Sequence, residues 1–156
     1  MKDRRPYIFL SKIMFIALLI TLLPLPNYLL LASPFWVLLF FIYWINYFSV
    51  RWRFFFALII GLMLDILNGS LLGQNSIALI ISSAFIINVK QLSLPVINLS
   101  TQQVYIFIAG SIYLGILLLT HVIIQGFDFS WIVLLSPLTT SLFWPLVQFI
   151  LTKLKH

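Results

Sequence analysis

Residues 51–70 read Arg-Trp-Arg-Phe-Phe-Phe-Ala-Leu-Ile-Ile-Gly-Leu-Met-Leu-Asp-Ile-Leu-Asn-Gly-Ser. Two arginines open the stretch, an apolar run from Phe54 to Leu67 follows with one carboxylate inside it, and Asn68-Gly69-Ser70 closes it with a strong turn signal. A helix on the surface of a soluble domain keeps one polar face, and this run has none. The whole chain is built the same way. Its 156 residues are 63% hydrophobic, 17% aromatic and 8% charged, with a mean hydropathy of +1.16, where soluble domains carry about 25% charged residues. Such a chain cannot cover its own surface with polar groups, so lipid must be its solvent. Nine basic and three acidic side chains give a net charge of +6. These charges lie between apolar runs rather than in one patch, which argues against nucleic acid as a partner. No cysteine is present, so disulfides, thiolate metal sites and cysteine nucleophiles are excluded.

Working outward from this run, the punctuation divides the chain into six apolar segments. A helical crossing of a bilayer needs roughly 17–25 residues. The sequence predicts helices over about 7–23, 33–49, 53–67, 73–89, 104–125 and 129–152 within one integral membrane domain, residues 1–156. Pro24 and Pro26 end the first. Ser33-Pro34 reads as an N-cap and first helical residue of the second. Lys90 to Gln103, with Pro95, reads as a loop or surface-lying stretch, and Gly126-Phe-Asp128 turns the chain into the last helix. With six crossings, Lys2, Arg4, Arg5, Lys12, Arg51, Arg53, Lys90, Lys153 and Lys155 all fall on one side. The positive-inside rule then makes both termini cytoplasmic. Tyr43, Trp44, Tyr47 and Trp52 would form the inner aromatic belt, and Tyr28, Trp36 and Trp131 the outer one. A cleaved signal peptide is the competing account of the N-terminus, but no small-x-small cleavage pattern follows the first helix.

Asp65 is the residue where chemistry is first expected. It lies 11 positions past Phe54, about 16 Å along a helix, where an ionised carboxylate costs roughly 2.5–3.5 kcal/mol on insertion scales. Ala57, Gly61, Asp65 and Gly69 share one stripe, and Gly73 continues the spacing, which suits close helix approach in lipid. Asp65 is therefore either a hydrogen-bonded strut or a proton-relay or ligand-binding carboxylate. Its candidate partners are Ser70, Gln74, Asn75, His121 and Gln125. The turn ahead of the fourth helix either meets an anion or is capped by Asn75 or Ser76. Trp144-Pro145 predicts a kink in the sixth helix, with Thr139, Thr140 and Ser141 placed to re-satisfy freed backbone groups. No catalytic set, phosphate loop, paired carboxylates or metal cluster can be assembled, so neither enzyme activity nor a cofactor is expected.

These residues resemble the MreD family of bacterial rod shape-determining proteins over nearly the full length. The resemblance rests on Pro34-Phe-Trp36-Val-Leu-Leu with Tyr43-Trp44, on Gly61-x-x-x-Asp65-x-x-x-Gly69-Ser70-x-x-Gly73, on Gln102-Gln103, and on Trp144-Pro145 ahead of a basic C-terminus. Ala57 stands where the family pattern favours glycine. The resemblance implies an all-α, six-helix inner-membrane bundle, similar in fold to the substrate-binding subunits of energy-coupling-factor transporters. It implies a non-enzymatic component of the cell-elongation complex that binds MreC and acts with MreB, RodZ, RodA and a penicillin-binding transpeptidase in lateral peptidoglycan synthesis. Pro34, Trp36, Tyr43, Trp44, Gly61, Asp65, Gly69, Ser70, Gly73, Trp144 and Pro145 would then be structural or partner-binding. Membrane lipid is a further expected contact, and a homo-oligomer stays open. The alternative reading is a small-molecule-binding transporter subunit with a polar outer pocket near Asp65, Asn75 and Gln125. A third is proton coupling through Asp65.

Overall fold

The structure is a computed structural model that describes residues 6–23, 26, 32–47, 51–90, 98–126 and 130–155. Lys2, Arg4, Arg5, Pro24, Tyr28, Pro95 and Asp128, on which parts of the sequence reading fall, lie outside them. So do the side chains of Tyr47, Lys90, Gln125 and Lys155. Among the described residues there are six α-helices and no strand. They are α1 (Pro6–Thr21), α2 (Trp36–Tyr47), α3 (Arg53–Asn68), α4 (Gln74–Lys90), α5 (Leu99–Gln125) and α6 (Ser136–Lys155), the last preceded by a 3-10 turn, Trp131–Leu135. Two helical stretches, Leu99–Ile124 and Trp131–Leu154, are long and apolar enough to cross a membrane.

Helices α3, α4, α5 and α6 pack in sequence as neighbours, and α2 lies against α1, α4 and α6. Helix α2 is the axis. Every residue from Val37 to Ile45 is buried, so this helix shows no amphipathic stripe because it has no outer face. Its aromatic side chains meet neighbours on several sides. Trp36 stacks edge-on to Phe143, Trp44 edge-on to Phe56, and Phe9 of α1 lies against Tyr43. Leucine, phenylalanine and isoleucine instead cover the outside of α3 and α6, as a lipid-facing surface requires.

Three boundaries differ from the sequence expectation, each for a physical reason. Helix α2 starts at Trp36 rather than Ser33, because the Phe35 amide is held by the Thr140 hydroxyl of α6 at 3.0 Å instead of by a local serine cap. Helix α5 starts at Leu99 rather than about Val104. The polar run Ser100-Thr101-Gln102-Gln103 resembles a loop, yet Thr101 and Gln102 N–H both bond the Asn98 carbonyl and open a helix of 27 residues. The sixth segment is split at Pro137. Proline cannot donate to the Val133 carbonyl, so the Ser136 N–H bonds it one residue early, which is 3-10 geometry.

The hairpin between α3 and α4 depends on two glycines. Gly69 (φ 62°) ends α3 in a Schellman motif, with Ser70 N–H bonding the Asp65 carbonyl at 3.0 Å and Gly69 N–H that of Ile66 at 3.4 Å. Gly61 allows backbone contact across the hairpin, since a Cβ there would overlap the N and Cα of Ser76. At this crossing the Ser76 hydroxyl donates to the Leu58 carbonyl at 2.9 Å. A valine at Gly61 must push α4 away, and overpacking of this kind costs about 1–3 kcal/mol. Gly115, whose Cβ position is open, should tolerate alanine. Thermal unfolding of the detergent-solubilised protein should show Gly61→Val strongly lowered and Gly115→Ala unchanged.

Candidate functional site

A cluster of polar groups lies at the end of the bundle where α2, α4 and α6 begin. Asp65 lies in the last turn of α3 and is fully buried. The αL residue Gly69 reverses the chain immediately after it, so residues 70–75 fold back over the carboxylate. Four donors converge on its two oxygens. The Ser70 hydroxyl (3.0 Å), Asn75 N–H (3.2 Å) and Asn75 Nδ2 (2.8 Å) reach Oδ1, and Gly73 N–H (2.7 Å) reaches Oδ2. A carboxylate is an acceptor-only group that can take about four hydrogen bonds, so this one is fully used. Two of the donors are amides at the start of α4, which makes Asp65 the cap of the next helix and places its carboxyl oxygens at the positive end of that helix dipole.

Asn75 carries the network to a third helix. Its Oδ1 accepts from the Tyr113 hydroxyl of α5 at 2.5 Å while its Nδ2 donates to Asp65. Tyr113 is itself buried and lies 4.7 Å, centroid to centroid, from the Phe35 ring. Asp65, Asn75 and Tyr113 therefore tie α3, α4 and α5 at one point. Of the partners expected for Asp65, Ser70 and Asn75 are found. The Gln74 carbonyl oxygen instead accepts from the Thr120 hydroxyl at 3.2 Å, His121 lines a cavity, and the Gln125 side chain lies outside the described set. Tyr113 was missed. Its only signal is a phenol in the middle of an apolar helix, where the O–H must find a partner.

The other singled-out residues also find partners. The Trp144 indole N–H donates to Gln102 Oε1 at 3.1 Å, joining two of the sequence motifs across α5 and α6. Tyr43 and Thr152 share a hydrogen bond at 3.3 Å. Thr140 accepts from Phe35 N–H and donates to the Ser136 carbonyl, and Thr139 reaches the Ala32 carbonyl at 2.9 Å. These threonines thus fasten the start of α6 to the start of α2 rather than serving Pro145. Pro145 is inside α6. Pro34 is half-buried ahead of α2, and Tyr43 and Trp44 are wholly inside the bundle, so these two aromatics act by packing and offer no face to a partner. Among the described residues no group of three histidine, cysteine or acidic side chains could hold a metal.

Next to the Asp65 network two cavities open. The larger, about 760 Å³, is lined by Asn68, Gln74, Thr120, His121, Ser130 and Ser136 together with apolar residues of α5. The smaller, about 380 Å³, reaches Asn75 and Tyr113 and shares Ser33, Phe35, Asn68 and Leu117 with the first.

The network gives a direct expectation. Asp65→Asn turns an acceptor into a donor among four donors, and an unsatisfied buried polar group costs about 1–3 kcal/mol. Tyr113→Phe removes one hydrogen bond, worth about 0.6–1.7 kcal/mol within a membrane. A double-mutant cycle of Asn75→Ala and Tyr113→Phe, read by denaturant unfolding in mixed micelles, should show clear coupling. Additivity would mean that the two side chains do not act together.

A comparison with protein families finds that the model of the rod shape-determining protein MreD matches residues 3–154. No curated protein and no solved structure gives a match.

Proposed function

We propose, from the premise that the chain belongs to the MreD family of rod shape-determining membrane proteins, that it works as a non-catalytic scaffold of the cell-elongation complex and binds the transmembrane helix of MreC. In this reading the chain crosses the inner membrane six times with both termini cytoplasmic, as one integral domain. Arg51, Arg53 and Lys153 support that topology, since they lie at the start of α3 and the end of α6, opposite the Asp65 network, where anionic lipid attracts them. Arg53 and Lys153 also lie over the Phe54 and Phe149 rings, at 5.7 and 4.6 Å, and cation–π contacts of this kind suit an interfacial position. A bundle similar to the substrate-binding subunits of energy-coupling-factor transporters is part of the same reading.

The single observation that carries the scaffold reading is where the polar side chains point. Asp65, Asn75, Tyr113, Gln102 and Trp144 are spent on one another, and the small-residue stripe is occupied by α4 at Ser76. What remains for a partner is an apolar exterior. The row Leu142, Leu146 and Phe149 on α6 is exposed at 68%, 49% and 62%, and the spacing of these residues puts them on one helix face. MreC is the direct partner proposed for that row. MreB, RodZ, RodA and the transpeptidase are reached through the assembly.

Depleting the protein in its rod-shaped host should give round cells. A photo-crosslinking residue at Leu142, Leu146 or Phe149 in native membranes should capture MreC, whereas one at the buried Leu38 should not. Capture of lipid alone from all three α6 positions would overturn the proposed docking row.

A further inference from the structure

We infer that the cavity at the Asp65 end is a binding site for an uncharged head group rich in hydroxyl or amide groups and carried on an apolar chain. Its size is the first reason. About 760 Å³ lies within the roughly 300–1,000 Å³ range of small-molecule sites.

The chemistry of the walls is the second reason. Among the described lining residues there is no lysine, arginine, aspartate or glutamate, and His121 is the one side chain that can take up a charge, so a permanently charged ligand finds no permanent counter-charge there. A cation would look for a carboxylate, yet Asp65 lies buried behind the wall with four donors already on its oxygens. Neutral hydrogen-bonding groups remain. Gln74 uses its carbonyl oxygen on Thr120, and its amide nitrogen makes no hydrogen bond among the described residues. The Asn68 and Ser130 side chains also line the cavity without a hydrogen bond among the described residues. Amides and hydroxyls presented in this way match a sugar or amide head group, in which every oxygen must be paired when water is displaced.

Helix lengths supply the third reason. Helix α5 continues 12 residues beyond Tyr113 to Gln125, about 18 Å. Helices α2 and α6 begin level with its middle, since the Phe35 ring lies tilted against Tyr113 and Pro137 lies 3.4 Å from a Cβ position at Gly110. The recess is therefore walled on one side by Leu114, Leu117, Leu118 and Ile124 of the projecting α5, while its floor is polar. A polar floor beneath an apolar wall fits an amphiphile. The inference rests on the membrane reading proposed above but not on MreC binding.

The test uses the full chain in phosphatidylcholine nanodiscs doped with monoglucosyl diacylglycerol or phosphatidylglycerol, followed by native mass spectrometry. The glucosyl lipid should be retained with at least about tenfold preference over phosphatidylglycerol. Gln74→Leu should remove that preference. Leu118→Trp, which fills the recess from its apolar wall and leaves the hydrogen bonds in place, should do the same while elution on gel filtration stays that of the parent. A parallel arm with methyl glucoside identifies the source of the ligand. Competition by the free sugar at low concentration assigns the site to a soluble saccharide, and no competition assigns it to the lipid. Equal or better retention of phosphatidylglycerol, or full preference in the Leu118→Trp variant, overturns the inference. Either result would leave MreC capture from α6 untouched.

Discussion

The burial of the Asp65 carboxylate is the constraint on which the rest of this structure depends. A charge-bearing group deep in an apolar bundle must have its oxygens paired, and here the chain supplies every donor from the 10 residues that follow. The pairing is local in sequence and yet it sets tertiary geometry. To present the Gly73 and Asn75 amides to the carboxylate, the chain must reverse directly after α3, and Gly69 in the αL conformation makes that reversal. Once reversed, α4 runs back along α3, and the contact at Gly61 and Ser76 becomes unavoidable. Gly61 thus follows from the carboxylate, because a hairpin closed so tightly leaves no room for a side chain at its crossing.

A second consequence concerns what joins the remaining helices. In lipid, apolar surface gains little by leaving the solvent, so association relies on close packing and on hydrogen bonds between helices. Three of the helix contacts in this bundle have such a bond. Asn75 and Tyr113 join α4 to α5, Gln102 and Trp144 join α5 to α6, and Phe35 and Thr140 join α2 to α6. Each is worth about 0.6 kcal/mol on average, but each fixes a register that leucine against leucine would leave open. The uniform apolar surface of α2 makes the point. Six consecutive buried residues, Val37 to Ile42, carry no polar side chain and give no rotational preference, and the bonds on either side of them, at Phe35 and at Tyr43, supply it.

The sequence shows which features of this arrangement are legible in advance. The apolar segments, the turn at Asn68-Gly69-Ser70 and the isolation of Asp65 are readable because each is a local contrast with the composition around it. Ser70 and Asn75 are readable as partners of Asp65 because they are close along the chain. Tyr113 and Thr140 are not, since the spacing between them and their partners, 38 and 105 residues, is set by packing that no local pattern encodes. The start of α5 fails for a different reason. Ser100 to Gln103 is the polar first turn of a helix longer than the apolar run, and Gln102 there bonds Trp144, so polarity marks a helix start and a contact rather than a loop. Helix α2 shows the reverse case, a stretch legible as either structural or partner-binding. Its aromatic residues look like a surface for a partner, and burial from Val37 to Ile45 gives them to the core.

Unequal helix lengths explain why the polar end is hollow. A bundle of equal helices would close its end with the turns between them. Here α2 spans 12 residues and α5 spans 27, roughly 18 Å against 40 Å, so the shorter helix cannot reach the level at which the longer one ends. Pro137 adds to the mismatch, because the α-helical part of α6 cannot extend toward that end without the amide that proline lacks, and the chain narrows to a 3-10 turn instead. The resulting recess lies above the Asp65 network, so the same carboxylate that closes the α3–α4 hairpin keeps the floor of the recess in place. Loosening the network would therefore alter the shape of the recess as well as the stability of the hairpin, which ties the buried Asp65 to the end of the bundle where Asn68, Gln74, Asn75 and Thr120 line open space.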